Sequence, residues 1–129
     1  VMKKKYFSVI LPIYINDKYI IFKKSFNSIL NQTLKPNEIV VLLDGPIEKK
    51  IKNFLFQKKK IYSFIKIYNF KKNQGLGYVL NYGVRKCRYD YIARCDADDF
   101  SRRDRFKKQM KYLINNPEVD VLGSNVTKF

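Results

Sequence analysis

A chain of 129 residues, 46% of them hydrophobic and 16% aromatic, carries material for one globular core and not for two. Its 27 Lys and Arg against 11 Asp and Glu leave a net charge of +16, and it has no histidine, which excludes histidine-based zinc sites and histidine general bases within the chain. No run approaches the roughly 20 apolar residues of a membrane span, and Val1-Met2-Lys3-Lys4-Lys5-Tyr6 lacks the apolar core and cleavage site of a signal peptide, so a cytoplasmic domain is expected.

Apolar runs and amphipathic stretches alternate strictly, the pattern of an α/β protein with a parallel sheet covered on both faces. Phe7-Ser8-Val9-Ile10-Leu11-Pro12-Ile13 reads as a first strand, with Pro12 near its end, where a missing donor is tolerated. Phe22, Phe26, Ile29 and Leu30 recur at helical spacing until Asn31-Gln32-Thr33 closes the helix. Ile39-Val40-Val41-Leu42-Leu43 is a buried second strand, followed by a helix on Ile47, Ile51, Phe54 and Leu55 with lysines on its outer face. Phe64-Ile65-Lys66-Ile67-Tyr68-Asn69 is the third strand, and Leu76, Leu80, Val84 and Cys87 mark a third helix in which Gly77 and Gly83 would allow close packing on the sheet. Tyr91-Ile92-Ala93-Arg94-Cys95 is the fourth strand. Phe106, Met110, Leu113 and Ile114 form a fourth helix that stops at Asn115-Asn116-Pro117, and Val119-Asp120-Val121-Leu122-Gly123 begins a fifth strand.

Within this order the unusual residues all fall after strands. They are Tyr14-Ile15-Asn16-Asp17, Asp44-Gly45-Pro46, Asn73-Gln74-Gly75-Leu76-Gly77 and Asp96-Ala97-Asp98-Asp99. The carboxyl edge of an open α/β sheet is where ligands bind, so residues distant in sequence converge on one crevice. Three acids within four residues repel one another unless a cation lies between them, and hard cations such as Mg2+ or Mn2+ take carboxylate oxygens and complete their shell with phosphates. An acidic turn that merely caps the next helix is the alternative for this segment alone. The turn after the first strand has no glycine, which excludes a G-x-G-x-x-G dinucleotide site, and no Walker-type loop is present. The two cysteines, Cys87 and Cys95, read as small core hydrophobes.

The lysines are spread along the whole chain and not gathered on one recognition helix, so no nucleic-acid partner is expected, while association with an anionic membrane stays open. Clustered acids on a basic chain also suit a metal-dependent nuclease or phosphodiesterase, and a non-catalytic partner- or membrane-binding domain is a further alternative.

The ordered set Ser8-Val9-Ile10-Leu11-Pro12-Ile13-Tyr14, Ser28-Ile29-Leu30-Asn31-Gln32-Thr33-Leu34, Glu38-Ile39-Val40-Val41, Asp44-Gly45, Asn73-Gln74-Gly75-Leu76-Gly77, Asn81-Tyr82-Gly83 and Ala93-Arg94-Cys95-Asp96-Ala97-Asp98-Asp99, continuing through Asp104-Arg105-Phe106 and Gln109 to Asn116-Pro117, resembles the nucleotide-binding half of a family 2 glycosyltransferase of the GT-A fold. Asp44-Gly45-Pro46-Ile47 is similar to the subgroup that builds bacterial capsule, lipopolysaccharide or exopolysaccharide. The resemblance implies a Rossmann-like single nucleotide-sugar-binding domain over residues 1–129, part of an inverting, metal-dependent transferase. Its donor would be a nucleoside-diphosphate-sugar, UDP foremost, and its acceptor a saccharide or lipid-linked hydroxyl, at the inner face of the membrane. It further implies nucleotide binding by Pro12, Tyr14, Asp44, Asn73, Gly75 and Asp96, with Tyr14 stacking on the base and Asp44 accepting from it. Mn2+ or Mg2+ would be held by Asp96, Asp98 and Asp99 of a D-x-D motif, and Arg94 reads as a charge-balancing partner of these acids. Two departures stand out: Ile15 separates Tyr14 from Asn16 where the family carries Asn directly after the tyrosine, and the family's catalytic base is expected beyond Phe129.

Overall fold

The computed structural model describes residues 5–125 and 127; Lys3 and Lys4 of the amino-terminal basic run, and Phe129, lie outside them. Strands and helices alternate as β1 (Phe7–Ile13), α1 (Tyr19–Leu30), β2 (Glu38–Asp44), α2 (Lys49–Ile61), β3 (Ile65–Phe70), α3 (Leu76–Lys86), β4 (Tyr91–Arg94) and α4 (Arg105–Asn115). The four strands form one sheet in the order β3-β2-β1-β4, and every pairing is parallel.

β1 and β2 are the central strands, and β2 is buried along its whole length, which is why it is apolar from Ile39 to Leu43, between Glu38 and Asp44 at its ends. Alternation divides the core. Val9, Leu11, Ile13, Val41 and Leu43 point to the layer of α1, α2 and α4, where Phe22, Phe26, Ile51, Phe54, Leu55, Phe106 and Met110 cover them. Ile10, Val40 and Leu42 point the other way, onto Val79 of α3. Helices thus cover both faces, three on one side and one on the other. On the three-helix side Phe54 of α2 meets Tyr19, Phe22 and Phe26 of α1 edge-on with ring centroids 5.8–5.9 Å apart, and this aromatic knot locks the two helices together.

Two expectations are corrected. Residues 119–123 form no strand. The edge of β4 and residues 120–122 line a hollow of about 320 Å3 between them, so no ladder forms, and Val121 is 88% exposed. On α3 the buried positions are Val79 and Gly83, whereas Leu76 and Val84 face solvent. The reason is Gly83: a Cβ there would lie 2.5 Å from Leu42 Cδ1. Close approach of the helix at Gly83 turns inward the side of α3 that carries Val79, with Leu80 and Cys87 packed at its flanks. Gly77 has nothing near it and packs on no strand.

Candidate functional site

All four strands end at one edge, and the register aligns their last residues. Ile13 pairs with Leu43 and Asp44 with Phe70, so Tyr14 follows β1 one step beyond the last paired position, level with Asp44. Ile10 pairs with Arg94, and the Cys95 N–H continues the ladder by donating to the Ile10 carbonyl at 3.0 Å. Two steps on, Pro12 stands level with Asp96. Alternation turns the missing N–H of Pro12 toward β4, and there pairing stops and residues 96–99 leave the sheet.

The β2 and β3 ends form one unit. Asp44 is only 6% exposed, and its Oδ1 accepts the Gln74 N–H at 2.6 Å, while Asn73 Nδ2 donates to the Asp44 carbonyl at 3.4 Å. Gly45 turns the chain with φ 86°, and a Cβ on it would come within 2.8 Å of the Asn73 nitrogen, so the two loops touch through their backbones. Gly75, at φ 90°, begins α3 with open space beside it. Tyr14 closes the β1 end: its N–H donates to Asp17 Oδ2 at 2.9 Å and its carbonyl accepts the Asp17 N–H, which leaves the ring 45% exposed at the rim.

The acidic segment is held through its backbone. Ser25 and Ser28 lie on α1 and Gln32 just beyond its end, and Ser25 Oγ donates to the Asp96 carbonyl at 3.0 Å. Ser28 Oγ accepts the Ser101 N–H. Gln32 is buried; its amide donates to the Arg102 carbonyl at 2.6 Å and its oxygen accepts the Phe106 N–H at 3.1 Å. From the far side Arg105 donates to Cys95 Sγ, Ser101 Oγ and the Arg94 carbonyl. The main chain of the loop is therefore fixed while the Asp98 and Asp99 side chains stay exposed.

Charge in this corner is crowded. Partial burial raises the Asp99 carboxyl above the ordinary carboxylate range, with the negative charges of Asp96 and Asp98 and a hydrogen bond with Asp96 adding to the rise. Burial likewise raises Asp17; the Tyr14 N–H pulls it back, and Asp98 and Asp96 push it up. Arg94 sits 3.4 Å from Asp96, between two exposed side chains, and so balances one charge of the cluster. An all-oxygen, uncompensated donor set of this kind fits a hard divalent cation. Among the described residues, however, no group of three or more His, Cys, Asp or Glu is arranged to hold an ion. Asp96, Asp98 and Asp99 thus form no ready-made three-carboxylate cage. That agrees with how Mg2+ is usually bound, through one or two carboxylates with substrate phosphates and water completing the octahedron.

Sequence reasoning missed Ser25 altogether, and it named Ser28, Gln32 and Arg105 only within the family resemblance, without the role of holding the acidic loop. The signal was present: polar side chains at i, i+3 and i+7 along and just beyond α1, on the face that also carries Phe22 and Ile29. Asp17 belongs by sequence to the first rim loop, but its coupling to the charges of Asp96 and Asp98 comes only from the tertiary fold.

Residues 8–129 match the family described as Glycosyl transferase family 2. Over 123 residues the chain is 33% identical to the UDP-Gal:alpha-D-GlcNAc-diphosphoundecaprenol beta-1,3-galactosyltransferase of Escherichia coli, covering 95% of this chain and 44% of that protein. It is 34% identical to the amylovoran biosynthesis glycosyltransferase AmsE of Erwinia amylovora, covering 95% of this chain and 46% of that one. The chain therefore spans less than half the length of these relatives. The fold is shared with S. aureus TarS in complex with UDP-GlcNAc, at a TM-score of 0.73 and 22% identity over 87% of this chain and 32% of that one. It is shared equally with the mannosyltransferase PcManGT of Pyrobaculum calidifontis in complex with GDP-Man and Mn2+, at a TM-score of 0.73 and 19% identity over 86% and 33%. With its parallel Rossmann-like sheet, the rim of loops at the carboxyl edge and a family match over nearly its whole length, this chain belongs to glycosyl transferase family 2 and has the GT-A architecture.

Proposed function

We propose that this chain is the nucleotide-sugar-binding domain of an inverting transferase that moves a sugar from a nucleoside diphosphate, UDP foremost, to a saccharide or lipid-linked acceptor in surface polysaccharide synthesis. The observation that carries the reading is the contiguous rim, in which Tyr14, Asp44, Asn73, Gly75 and Asp96 follow one another across the strand ends beside Asp98 and Asp99. Tyr14 offers an exposed aromatic face to the base. Asp44, with Oδ1 committed to Gln74, retains Oδ2 to accept a ring N–H. Pro12 ends the β1–β4 ladder and so opens room for the diphosphate, and Asn73 and Gly75 shape the α3 end of the same groove. When bound, Mn2+ or Mg2+ supplies charge stabilisation for the departing diphosphate. The chain's own contribution there is to hold Asp96, Asp98 and Asp99 together on a loop whose backbone is pinned by Ser25, Ser28, Gln32 and Arg105. The base that takes the acceptor proton is assigned outside this chain. The relative that acts on a diphosphoundecaprenol-linked sugar supports a lipid-linked acceptor, and with it a place at the inner face of the membrane.

Calorimetric titration with UDP, GDP and CDP sugars, with and without Mn2+, tests this. Binding of one nucleotide class that requires the cation and disappears in Asp98→Asn is expected. Cation-independent binding, or binding indifferent to Asp98→Asn, overturns the assignment.

A further inference from the structure

The outer surface of the α1–α2 layer is the least balanced part of the molecule. Six of the thirteen residues of α2 are lysine, and neither α1 nor α2 contains an acid. The three salt bridges among the described residues involve Arg94, Arg102 and Lys108 and none of these lysines. With Ile51, Phe54 and Leu55 turned into the core, the opposite side of α2 carries Lys49, Lys52, Lys59 and Lys60, and in their midst stands Phe56, 43% exposed. On α1, Ile20 is 71% exposed beside the exposed Lys24, and Ile61 at the end of α2 is 68% exposed. The ring contacts of Phe54 hold α1 and α2 side by side, and Phe56, about 200° further round the helix, turns to the side of α2 away from α1, where Lys52 lies near the end of β3. An aromatic ring left in water among like charges is costly for a helix that has only to cover a sheet, and a polar residue would serve that purpose as well.

We infer that the lysine-rich outer face of α2 docks the domain on an anionic lipid bilayer, with the lysines at headgroup level and Phe56 inserted below it. The chemistry favours lipid over the other occupants. A second copy of a chain with net charge +16 is repelled from this face as a whole. A nucleic acid would be met by arginine forks or by a series of stacking rings along a groove, whereas α2 has no arginine and exposes one ring, Phe56. Both helices begin at the carboxyl edge of the sheet, so a domain lying on this face keeps the rim of Tyr14 and residues 96–99 at the border of the membrane surface. The inference deepens the membrane placement proposed above and does not depend on the transfer reaction.

The chain has no tryptophan, so Phe56→Trp introduces a single reporter. Its emission is followed with phosphatidylcholine vesicles and with vesicles containing 30% phosphatidylglycerol, and sedimentation measures the bound fraction. Expected are binding to the anionic vesicles only, a blue shift of the indole emission on binding, and at least a ten-fold weaker partition for Lys52→Glu with Lys60→Glu. The same charge change made on α4, Lys107→Glu with Lys111→Glu, is expected to weaken binding less than three-fold. Equal losses for the two pairs, an emission unmoved in the bound protein, or tighter binding to a DNA or RNA oligonucleotide that shifts the same reporter would each overturn the inference. Nucleotide titration of the Lys52/Lys60 variant keeps the readings apart, because donor binding persists there whether or not the membrane face is right.

Discussion

The two ends of the rim are built in opposite ways. At the β2–β3 end the protein completes its own contacts: Asp44 is buried, its Oδ1 is occupied by a backbone N–H, and two loops meet through a glycine that leaves no room for a side chain. At the β4 end only the backbone is finished. Ser25, Ser28, Gln32 and Arg105 pin it, and burial together with the charges of Asp96 and Asp98 raises the carboxyls of Asp99 and Asp17. A preorganised recognition end and an electrostatically unfinished end are what a site needs if it is to select its ligand by shape at one side and gain a cation at the other.

The contrast is open to test. In Asp98→Asn the cation-dependent nucleotide affinity should fall by about 100-fold, about 3 kcal/mol, with no loss of thermal stability in EDTA, because one repelling charge is gone; calorimetry and a melting curve read the two effects. If stability falls instead, the acid is structural and the unfinished end is finished after all.

At the other end Gly45→Ala must strain a left-handed backbone and push on Asn73, and about 3 kcal/mol of folding free energy should be lost by urea unfolding. Gly75→Ala suffers the strain without the collision, and should cost about 1 to 2 kcal/mol. Equal costs would show that the β2–β3 contact is loose.

Asp44 separates recognition from support. Asp44→Ala leaves the Gln74 N–H without its acceptor and should cost about 1 to 2 kcal/mol. Asp44→Asn keeps an acceptor oxygen and should stay within about 0.5 kcal/mol of the parent, yet both should weaken nucleotide binding. A variant Asn that binds nucleotide as well as the parent removes Asp44 from the base contact.

The smallest effect is expected at Asp17. Its carboxyl is raised in the folded protein, so its protonation favours the fold at low pH, and that contribution is lost as pH rises from its unfolded value near 3.8 through the higher folded value. Asp17→Asn keeps an acceptor for the Tyr14 N–H and removes the charge facing Asp98 and Asp96. A gain of about 0.5 kcal/mol at pH 7 that shrinks toward pH 4 is expected from urea midpoints in EDTA; a loss at pH 7 would mean that the ionised form is the stabilising one.

Much of this was legible in the residues. The buried strands β1 and β2 announce themselves because a strand covered on both faces is apolar over most of its length, and the stripe of Phe22, Phe26, Ile29 and Leu30 predicts the buried side of α1, to which the structure adds Ser25. On α3 the stripe holds at Leu80 and Cys87, which pack on the sheet, and Gly83 makes the close approach expected of it, whereas Leu76 and Val84 face solvent and Val79 takes the inward place between. Residues 119–123 were misread because strand propensity is a property of the segment, whereas a strand exists only where a ladder partner lies within reach.

The sequence by itself determined the alternation of elements, the parallel sheet and the positions after each strand where the unusual residues fall, since those follow from periodicity and local steric rules. Only the tertiary structure decided that Asp17 lies beside residues 96–98, that a polar stripe of α1 holds the acidic loop, and that Phe56 stands uncovered among lysines. These are facts about distance between residues far apart in the chain, and no local pattern encodes a distance that packing alone sets.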